Sequence, residues 1–524
     1  MLTFKSREKS VLQSKASRFL SALGFAATVL LPLSMAQAKD GTIMMARNMD
    51  INTLDPHSAP IDISSQVIRQ ILDSLVTLDK DANVRPGIAE SWEVSPDFLT
   101  YKFKIREGLK CHDGTAMDAT AVKWNFERMA RPETAGVASL RSTYDGSTIE
   151  GNTITVKFKT ADVALLTNFG AHRFGIMCPS SDKNGTYSPV GTGPWKFVSW
   201  VRNDKVRLER NDNYKNVNPM IENPGAPHEK FLEFKVIPES VARMAAFRSG
   251  EVTIVEPALE EMATLKKDSK YTVWLSTMSG QWAYGAFTRN VPPFNDARVR
   301  QAIVHALDRD SYANIAFEGL GKPIYCPSAP NLPVADQKAC ASWGQTYNPE
   351  KARKLLADAG FTKSKPLKMT LTVHKLIGWD LMHQIMLQNL KDVGIDATLE
   401  TRDVASFMED TKKQNQRTEG IPMAWTWGVS NLDPINNYAF SFAGPGYLNA
   451  GLGEKFDEMV NASKLLTGEA RAKASQELMK YMLSEALVFP IVSPGWAFYS
   501  VSSSKVKGFG YFHSGMLNFN DVTM

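Results

Sequence analysis

Apolar and charged residues alternate along several segments of the first half of the chain, and this alternation predicts β-strands. Tyr101, Phe103 and Ile105 are separated by single basic residues, a period of two that is typical of a strand with one buried face. Asp118 stands where it can cap a helix with an apolar face. Strands are also predicted at residues 41–47, at 154–158, near 197 and at 206–208.

Helical spacing of apolar residues dominates the second half. Asp296 precedes a segment in which Val299 and Ile303 share one helix face. Asn348 is a predicted N-cap, and Gly360 is predicted to end the helix that follows it. A further helix is predicted through 382–393 and a strand at 395–399. This succession of helices and strands predicts an α/β fold in which helices flank a mixed sheet.

The length and charge of the chain limit the classes of function. Its 524 residues exceed what one hydrophobic core usually holds, so two or three lobes are expected. Hydrophobic residues make up 43% and charged residues 22%, as in ordinary folded soluble proteins. The first 38 residues hold five basic residues and one acidic residue, which accounts for +4 of the formal net charge of +5. The nearly neutral remainder gives no reason to expect a nucleic acid partner.

The N-terminus has the three parts of a secretory signal peptide. A basic stretch ends at Arg18, an apolar run covers 19–33, and residues 36–38 form a small-x-small cleavage site. We therefore expect residues 1–38 to be a cleaved signal peptide and the mature protein to be periplasmic. The alternative is an uncleaved membrane anchor, for which the apolar run is short. No cysteine stands at the cleavage site, so a lipid anchor is not predicted.

Four cysteines are candidates for disulfide bonds in an exported protein, namely Cys111, Cys178, Cys326 and Cys340. Four cysteines allow three pairings. We favour Cys326–Cys340, because it closes a short proline-rich loop, and Cys111–Cys178 is then the remaining pair. No cysteine has the spacing of a zinc site, so we predict no metal bound by cysteine.

Five sequence segments form an ordered series over most of residues 41–500. They are Thr53-Leu54-Asp55-Pro56, the long block from Ala89 to Val122, Gly191-Thr192-Gly193-Pro194-Trp195, the block from Pro293 to Arg309, and Tyr347 to Ala352 together with Trp427 and Asp433-Pro434. In this order they resemble the extracellular solute-binding proteins of family 5, the dipeptide-, oligopeptide- and nickel-binding type. Five segments in order are far more specific than any one of them alone.

The resemblance implies a two-lobed periplasmic binding protein, type II-like, whose lobes close over a ligand by a hinge motion. It implies lobe I at 39–279 with an extra subdomain at about 72–190, lobe II at 280–492, and a return to lobe I at 493–524. The implied partners are the inner-membrane permease and ATPase subunits of an ABC importer.

One segment of the resemblance bears on the ligand. Peptide binders of the family pair the peptide's α-ammonium group with an Asp just after a Trp, and Ser430 stands at that place after Trp427. A hydroxyl group cannot neutralise an ammonium group. Losing such a charge pair costs about 2–5 kcal/mol, which argues against peptides with a free N-terminus. Alternatively, the Asp of the peptide binders corresponds to a position other than 430, or Glu400, Asp403 or another acid supplies the negative charge.

Other polar candidates lie in loops. Dipeptide binders place an Arg for the ligand carboxylate in the loop where Lys375 stands, so Lys375 and its neighbour His374 are candidate ligand residues. His57 lies in the part of lobe I that faces the cleft in relatives. Each of the three is alternatively an ordinary loop or surface residue. Asp55 and Asp433 precede prolines, and we interpret both as turn-forming residues.

Three tryptophans are candidates for stacking on the ligand. Trp425 and Trp427 are two residues apart and share one strand face, and Trp282 occupies a similar position beside the predicted hinge. Aromatic rings suit apolar side chains, sugars and planar groups. The alternative is that these rings pack in the core.

These observations predict the substrate-binding component of an ABC transporter that imports peptides or peptide-like solutes. We expect a monomer with no enzymatic activity and no cofactor. The same receptor role for an opine, an oligosaccharide or a metal chelate is an alternative. A secreted hydrolase is another, although no Gly-x-Ser-x-Gly or His-Glu-x-x-His motif supports it. A periplasmic chaperone or sensor that uses the same fold is the third alternative.

Overall fold

Two mixed sheets and one antiparallel sheet form the framework of the computed structural model. It describes residues 41–524 except 59–60, 80–82, 133, 135–137, 171–173, 184–185, 277–281, 331, 345, 375–378, 413–421, 428–432, 445–451, 494–497 and 513–515. The predicted signal peptide therefore lies outside the described residues. The strands are β1 Thr42–Arg47, β2 Val76–Leu78, β3 Val84–Pro86, β4 Ala89–Val94, β5 Thr100–Ile105, β6 Tyr144–Glu150, β7 Thr153–Phe158, β8 Asp182–Lys183, β9 Thr186–Tyr187, β10 Trp195–Val201, β11 Lys205–Arg210, β12 Phe231–Val236, β13 Ile254–Val255, β14 Tyr271–Leu275, β15 Trp282–Phe287, β16 Lys322–Pro323, β17 Leu367–His374, β18 Ile395–Arg402, β19 Pro422–Trp427, β20 Val488–Pro490, β21 Val492–Ser493, β22 Tyr499–Ser503, β23 Gly510–Tyr511 and β24 Leu517–Asn518.

Helices cover the faces of these sheets. They are α1 Asp62–Ile71, α2 Ala119–Met129, α3 Ala138–Thr143, α4 Leu165–Gly170, α5 Ser240–Arg248, α6 Leu259–Leu265, α7 Ala297–Ala306, α8 Arg309–Ser311, α9 Gln337–Ser342, α10 Pro349–Asp358, α11 Asp380–Asp392, α12 Val404–Lys412, α13 Pro434–Ser441, α14 Glu454–Ser463 and α15 Gly468–Ser484, with a 3-10 turn at Pro179–Ser181 and a π-helical turn at Tyr312–Ala316. Within the described part of the chain, no helix is both long and apolar enough to cross a membrane.

The first sheet has seven strands in the order β10-β11-β12-β1-β13-β22-β14. Its centre is parallel, because β1 runs in the same direction as β12 and β13. Alternation along β1 sends Ile43 and Met45 to the face covered by α1, whereas Ala46 packs on the other face with Met244 and Phe247 of α5. Both faces are therefore buried, as expected for parallel strands.

The second sheet has five strands in the order β18-β17-β19-β15-β20, and β17 is parallel to β18 and β19. The strand β15 is buried on both faces. Ala283 and Phe287 belong to the core beneath α7, α10 and α11, while Trp282 and Tyr284 belong to the core beneath α13, α14 and α15. This sheet with its two helical layers bears out the predicted α/β class.

The third sheet is antiparallel, with strands in the order β4-β5-β7-β6. Tyr101, Phe103 and Ile105 of β5 are buried and their neighbours are exposed, which confirms the predicted strand. They pack with Phe126 of α2 and Phe169 of α4. The other predicted strands are confirmed as β1, β7, β10, β11 and β18.

The predicted helix starts are confirmed by their capping bonds. Asp118 accepts hydrogen bonds from two backbone amides of α2, and Asp296 accepts one from Arg298 in α7. Asn348 accepts one from Lys351 in α10. These three helices start where the sequence predicts because a cap is a local interaction.

Both predicted cysteine pairs are disulfides in the structure. Cys326–Cys340 joins residues 14 apart, with 5.2 Å between their Cα atoms, and Cys111–Cys178 joins residues 67 apart, with 6.1 Å. The second pair links the segment before α2 to the segment before the 3-10 turn, within the core around the third sheet.

The chain passes between the first two sheets at two places. It leaves the first sheet after Leu275 and enters the second at Trp282, and it returns between Ser493 and Tyr499. The third sheet lies in the insertion between β1 and β10. The lobe boundaries 39–279, 280–492 and 493–524 stay a prediction, as do the bounds of the subdomain at 72–190.

Candidate functional site

The carboxyl ends of parallel strands define the candidate ligand site. In open α/β sheets, ligands bind in the crevice just beyond these ends. In the first sheet β1 ends at Arg47 and β13 ends at Val255. In the second sheet β17, β18 and β19 end at His374, Arg402 and Trp427.

The backbone places two of the predicted ligand residues at the carboxyl edge of the second sheet. His374 is the last residue of β17 and pairs in register with Arg402. Trp427 is the last residue of β19, and Trp425 lies two positions before it. The structure describes only the backbone of His374, Trp425 and Trp427, and it does not describe Lys375 and Ser430. A ligand contact by any of these five residues therefore stays a prediction.

Trp282 begins the strand that pairs with β19, and its register partner is Trp427. Its side chain is only 1% exposed and stacks on Tyr284 with 4.6 Å between ring centroids. The indole Nε1 is buried and has no hydrogen-bond partner among the described residues. The ring thus packs in the core beneath α13, α14 and α15, which is the alternative weighed from the sequence. A ligand contact by Trp282 remains a prediction.

His57 is fully buried beside a guanidinium group. Its Nδ1 lies 3.0 Å from Nη1 of Arg128, and because a guanidinium group can only donate, Nδ1 is the accepting nitrogen. Burial, followed by the adjacent Arg128 charge, lowers the pKa of His57 to about 3. His57 is therefore an uncharged histidine in an interior hydrogen-bonded cluster, and its described contacts are all to protein groups.

The same cluster gives Asp55 more than the turn-forming role predicted from the sequence. Asp55 does hold a turn, because its carboxylate accepts from the amide of His57. It also accepts two hydrogen bonds from Arg128, at 3.0 and 2.6 Å, and Asp182 accepts a third at 3.2 Å. These ion pairs tie the loop after β1 to α2 of the third-sheet region. The sequence did not reveal them because Asp55 and Arg128 are 73 residues apart.

Two acids at the edge of the second sheet already have partners. Glu400 forms an ion pair with Arg402, with 2.6 Å between Oε1 and Nη2. Asp403 caps α12 by accepting from the backbone amide and the hydroxyl group of Ser406, at 3.0 and 2.6 Å. Either acid would have to share its carboxylate with these partners in order to take the place of the Asp of the peptide binders, where this chain has Ser430.

An ion pair at the edge of the first sheet was missed by the sequence analysis. Arg47, at the end of β1, lies 3.6 Å from Oε1 of Glu256, just after β13. Burial raises the pKa of the Glu256 carboxyl group, and the Arg47 charge opposes that rise. Arg47 also donates to the carbonyl oxygen of Ile63 at 3.2 Å and to Gln66. The sequence does show a charged residue, Arg47, at the end of a predicted strand. Its partner Glu256 lies 209 residues further on, so the sequence did not identify the pair.

Asp433 was also interpreted too simply, as a turn-forming residue. It is the N-cap of α13, where it accepts from the amide of Asn436 at 2.9 Å. Its two carboxylate oxygens also accept from Nε and Nη2 of Arg471, at 2.6 and 2.8 Å. This pair fixes the N-cap of α13, which is three residues after Ser430 in the sequence.

A large cavity lies away from these strand ends. It has a volume of about 890 Å³ and lies between α10, α11 and the amino end of β18. Leu356, Phe361 and Ile395 are among its apolar lining residues, and Arg353 and Lys391 are among the charged ones. Of the predicted ligand residues whose side chains are described, His57 and Trp282, neither lines it. Across the described side chains, no group of three or more His, Cys, Asp or Glu is arranged to hold a metal ion.

Comparison with known proteins agrees with this fold and topology. The sequence model of a protein family, the bacterial extracellular solute-binding proteins, family 5 Middle, matches residues 83–449 of this chain. The chain belongs to this family, so the predicted class, the solute-binding component of an ABC importer, is confirmed.

Similar proteins are found among both sequences and solved structures. The glutathione-binding protein GsiB of Shigella flexneri serotype 5b is 28% identical over 421 residues, which is 78% of this chain and 79% of that protein. GsiB of Escherichia coli strain K12 has the same identity and coverage. NikA from Brucella suis in complex with Fe(III)-EDTA has a TM-score of 0.81 at 24% identity, covering 92% of this chain and all of that one. HbpA2 from Haemophilus parasuis has a TM-score of 0.77 at 22% identity, with 92% and 99% covered. These likenesses bear out the two-lobed fold.

Proposed function

We propose that this protein captures a short peptide or peptide-like solute between its lobes and delivers it, unchanged, to an inner-membrane permease driven by ATPase subunits. The mature protein would act in the periplasm as a monomer, without catalysis and without a cofactor. Nucleic acid plays no part in this function.

The observation that supports the proposal is that two neighbouring parallel strands, β17 and β19, end at predicted ligand positions. The predicted ligand positions His374 and Trp427 end two neighbouring strands, and Lys375 and Ser430 follow them within three residues. Strand ends hold residues rigidly while the following loops vary, so one fold adapts to different solutes. The curated relatives named above bind glutathione, a solute of tripeptide size, which supports the same size class here.

The charges near this edge favour a ligand held by hydrogen bonds rather than by an ammonium–carboxylate pair. Ser430 is neutral, Glu400 is paired with Arg402, and Asp403 caps a helix. A buried ligand charge needs a partner, so a free α-ammonium group is poorly served at this place. We therefore propose peptide-like solutes, including those with a blocked or conjugated amino group.

Thermal-shift measurements on the exported protein test this proposal. The panel contains glutathione, di- to pentapeptides, N-acetylated peptides, opine-like conjugates, oligosaccharides and nickel chelates. A solute present at about 100 times its dissociation constant stabilises the folded protein by about 2.7 kcal/mol. We expect such a shift with at least one peptide-like solute, and a larger shift with an N-acetylated peptide than with the same peptide carrying a free amino group. A shift with oligosaccharides or chelates alone would overturn the ligand class, and no shift with any member would overturn the proposal that the protein captures a peptide-like solute.

A further inference from the structure

A hydrogen bond joins the third-sheet region to the helices of the second sheet. Nδ2 of Asn436, in the first turn of α13, donates to Oδ1 of Asp162 at 3.1 Å. Asp162 lies between β7 and α4, in the insertion that contains the third sheet. Both residues are partly buried. The contact spans 274 positions of sequence and connects two parts of the molecule that belong to different sheets.

The side-chain amide of Asn436 is held in one orientation by Arg471, which lies on the same side of the contact. Nη2 of Arg471 donates to Oδ1 of Asn436 at 3.1 Å and to Asp433 at 2.8 Å. A guanidinium group can only donate, so the amide oxygen faces Arg471 and the amide nitrogen is left to face Asp162. Arg471 is thus a positioning residue that fixes both the start of α13 and the donor.

Asp162 is held equally well on the opposite side. Its Oδ1 also accepts from the amide of Ala164 at 2.9 Å, and its carbonyl oxygen accepts from the hydroxyl group of Tyr101 at 2.9 Å. Tyr101 is buried in β5 of the third sheet. Donor and acceptor are therefore each anchored to their own sheet before they meet, which reduces the entropy lost when the bond forms.

We infer that the Asn436–Asp162 hydrogen bond is a closure contact, which forms when the lobes close and stabilises the closed form without touching the solute. Among the described strands the chain crosses between the first two sheets only after β14 and before β22. Rotation about these two crossings changes the Asn436–Asp162 distance while every strand pairing is kept. The inference rests on the proposed function, because it assigns the contact to the lobe motion that captures the solute.

Removal of the contact shifts the population of open and closed forms. A hydrogen bond to a carboxylate that is partly exposed changes a two-state ratio by about fivefold. A protein that closes less readily also binds any solute more weakly, by at most the same factor, because affinity scales with the competent fraction. The effect is independent of the identity of the solute.

Distances between spin labels in the solute-free protein measure this population directly. The four native cysteines are paired in disulfides, so Lys157→Cys in β7 and Lys480→Cys in α15, both at exposed positions, would carry the labels. We expect short and long distances in the double electron–electron resonance of the parent protein. Asn436→Ala is expected to lower the short-to-long ratio about fivefold. The exposed Asn461→Ala is the matched control and is expected to leave the ratio unchanged.

An exchange of the two side chains separates direct contact from indirect damage. Asn436→Asp places two carboxylates together and is expected to open the protein further. Adding Asp162→Asn restores one donor and one acceptor, and we expect the closed population to return. An unchanged ratio in Asn436→Ala, or a double variant that stays open, would overturn the inference. A protein that binds no solute of the panel but responds in this way upholds the contact and counts only against the proposed function.

Discussion

The burial of His57 makes the stability of the protein sensitive to acid. Its pKa is lowered to about 3 by burial and by the neighbouring Arg128 charge. In the unfolded chain a histidine has a pKa of about 6.5. The unfolded state therefore takes up a proton between these values and the folded state does not. The stability contributed by this residue is present above pH 6.5 and is lost as the pH falls towards 3.

We expect His57→Gln to weaken the acid sensitivity of the protein. Between pH 7 and pH 5 the wild-type free energy of unfolding should fall by about 2 kcal/mol on account of His57 alone, and the variant should lack that part. Burial also lowers the pKa of His112 and of His383, each to about 4. Both histidines are present in the wild type and in the variant, so they contribute equally to the pH dependence of the two proteins. Urea unfolding at both pH values measures the difference.

The matched control for this prediction is His228→Gln, at an exposed histidine. It should keep the wild-type difference between pH 7 and pH 5. An equal loss of stability in wild type and His57→Gln would show that His57 is not buried in its neutral form.

At the ligand edge, we expect Ser430→Asp to change the selectivity for amino groups. A carboxylate at this position would pair with a peptide's α-ammonium group, as the family resemblance implies. The preference for a dipeptide over its N-acetyl form should therefore rise by at least about tenfold. Titration calorimetry with both peptides measures the two affinities, and Ser430→Asn is the neutral control. If Ser430→Asp and Ser430→Asn show the same preference for the dipeptide over its N-acetyl form, position 430 does not contact the ligand's amino group.

At the scale of elements, the Gly191-Thr192-Gly193-Pro194 loop is fitted closely against the end of α1. Gly193 donates its amide to the carbonyl oxygen of Ile71 at 2.9 Å, and Thr192 donates its hydroxyl to Asp73 at 2.7 Å. A Cβ atom on Gly191 would lie 2.2 Å from the same carbonyl oxygen. The motif therefore needs glycine for a close approach of two backbones.

We expect Gly191→Ala to destabilise the protein by about 3 kcal/mol, because the atom in its way is backbone and cannot rotate aside. Gly225→Ala is the control, since nothing lies within 4 Å of a Cβ atom there. Urea unfolding of both variants measures the effect. Equal stability of Gly191→Ala and the parent protein would show that α1 and the loop are not packed in this way.

The helices and strands also show how much of the fold can be predicted from the sequence. Asp118 and Asn348 were predicted as helix caps and Asp296 as the beginning of a helix. All three are caps, because each acts on amides within three residues. The alternation along β5 was sufficient for its buried face, since that face depends only on the period of two. Interactions between residues close in sequence are readable without a structure.

Interactions between distant residues were not readable in the same way. Arg471 and Asp433 are 38 residues apart, and nothing in either segment marks the other as its partner. Buried ion pairs depend on how the elements pack, so Asp433 was interpreted only from its neighbour Pro434. The disulfide pairs were an exception, because four cysteines allow just three pairings.

At the scale of the whole molecule, the fold follows from the ordered motifs and the succession of elements, whereas the solute does not. The motif residues mostly shape turns, caps and close backbone contacts, as Gly191 and Asp296 do. The solute is recognised in the loops beyond the strand ends, where a change such as Ser430 alters chemistry without altering the fold. The class of protein is therefore predictable from sequence, and the ligand stays a proposal.

The central claim, capture of a peptide-like solute without chemistry, is tested most directly by titration calorimetry followed by mass spectrometry of the recovered solute. The exported protein is titrated with glutathione, a dipeptide and its N-acetyl form. The account predicts saturable binding of one molecule per chain for at least one of them, with the bound solute recovered at its original mass. Absence of binding to all three, or recovery of a cleaved solute, would contradict it.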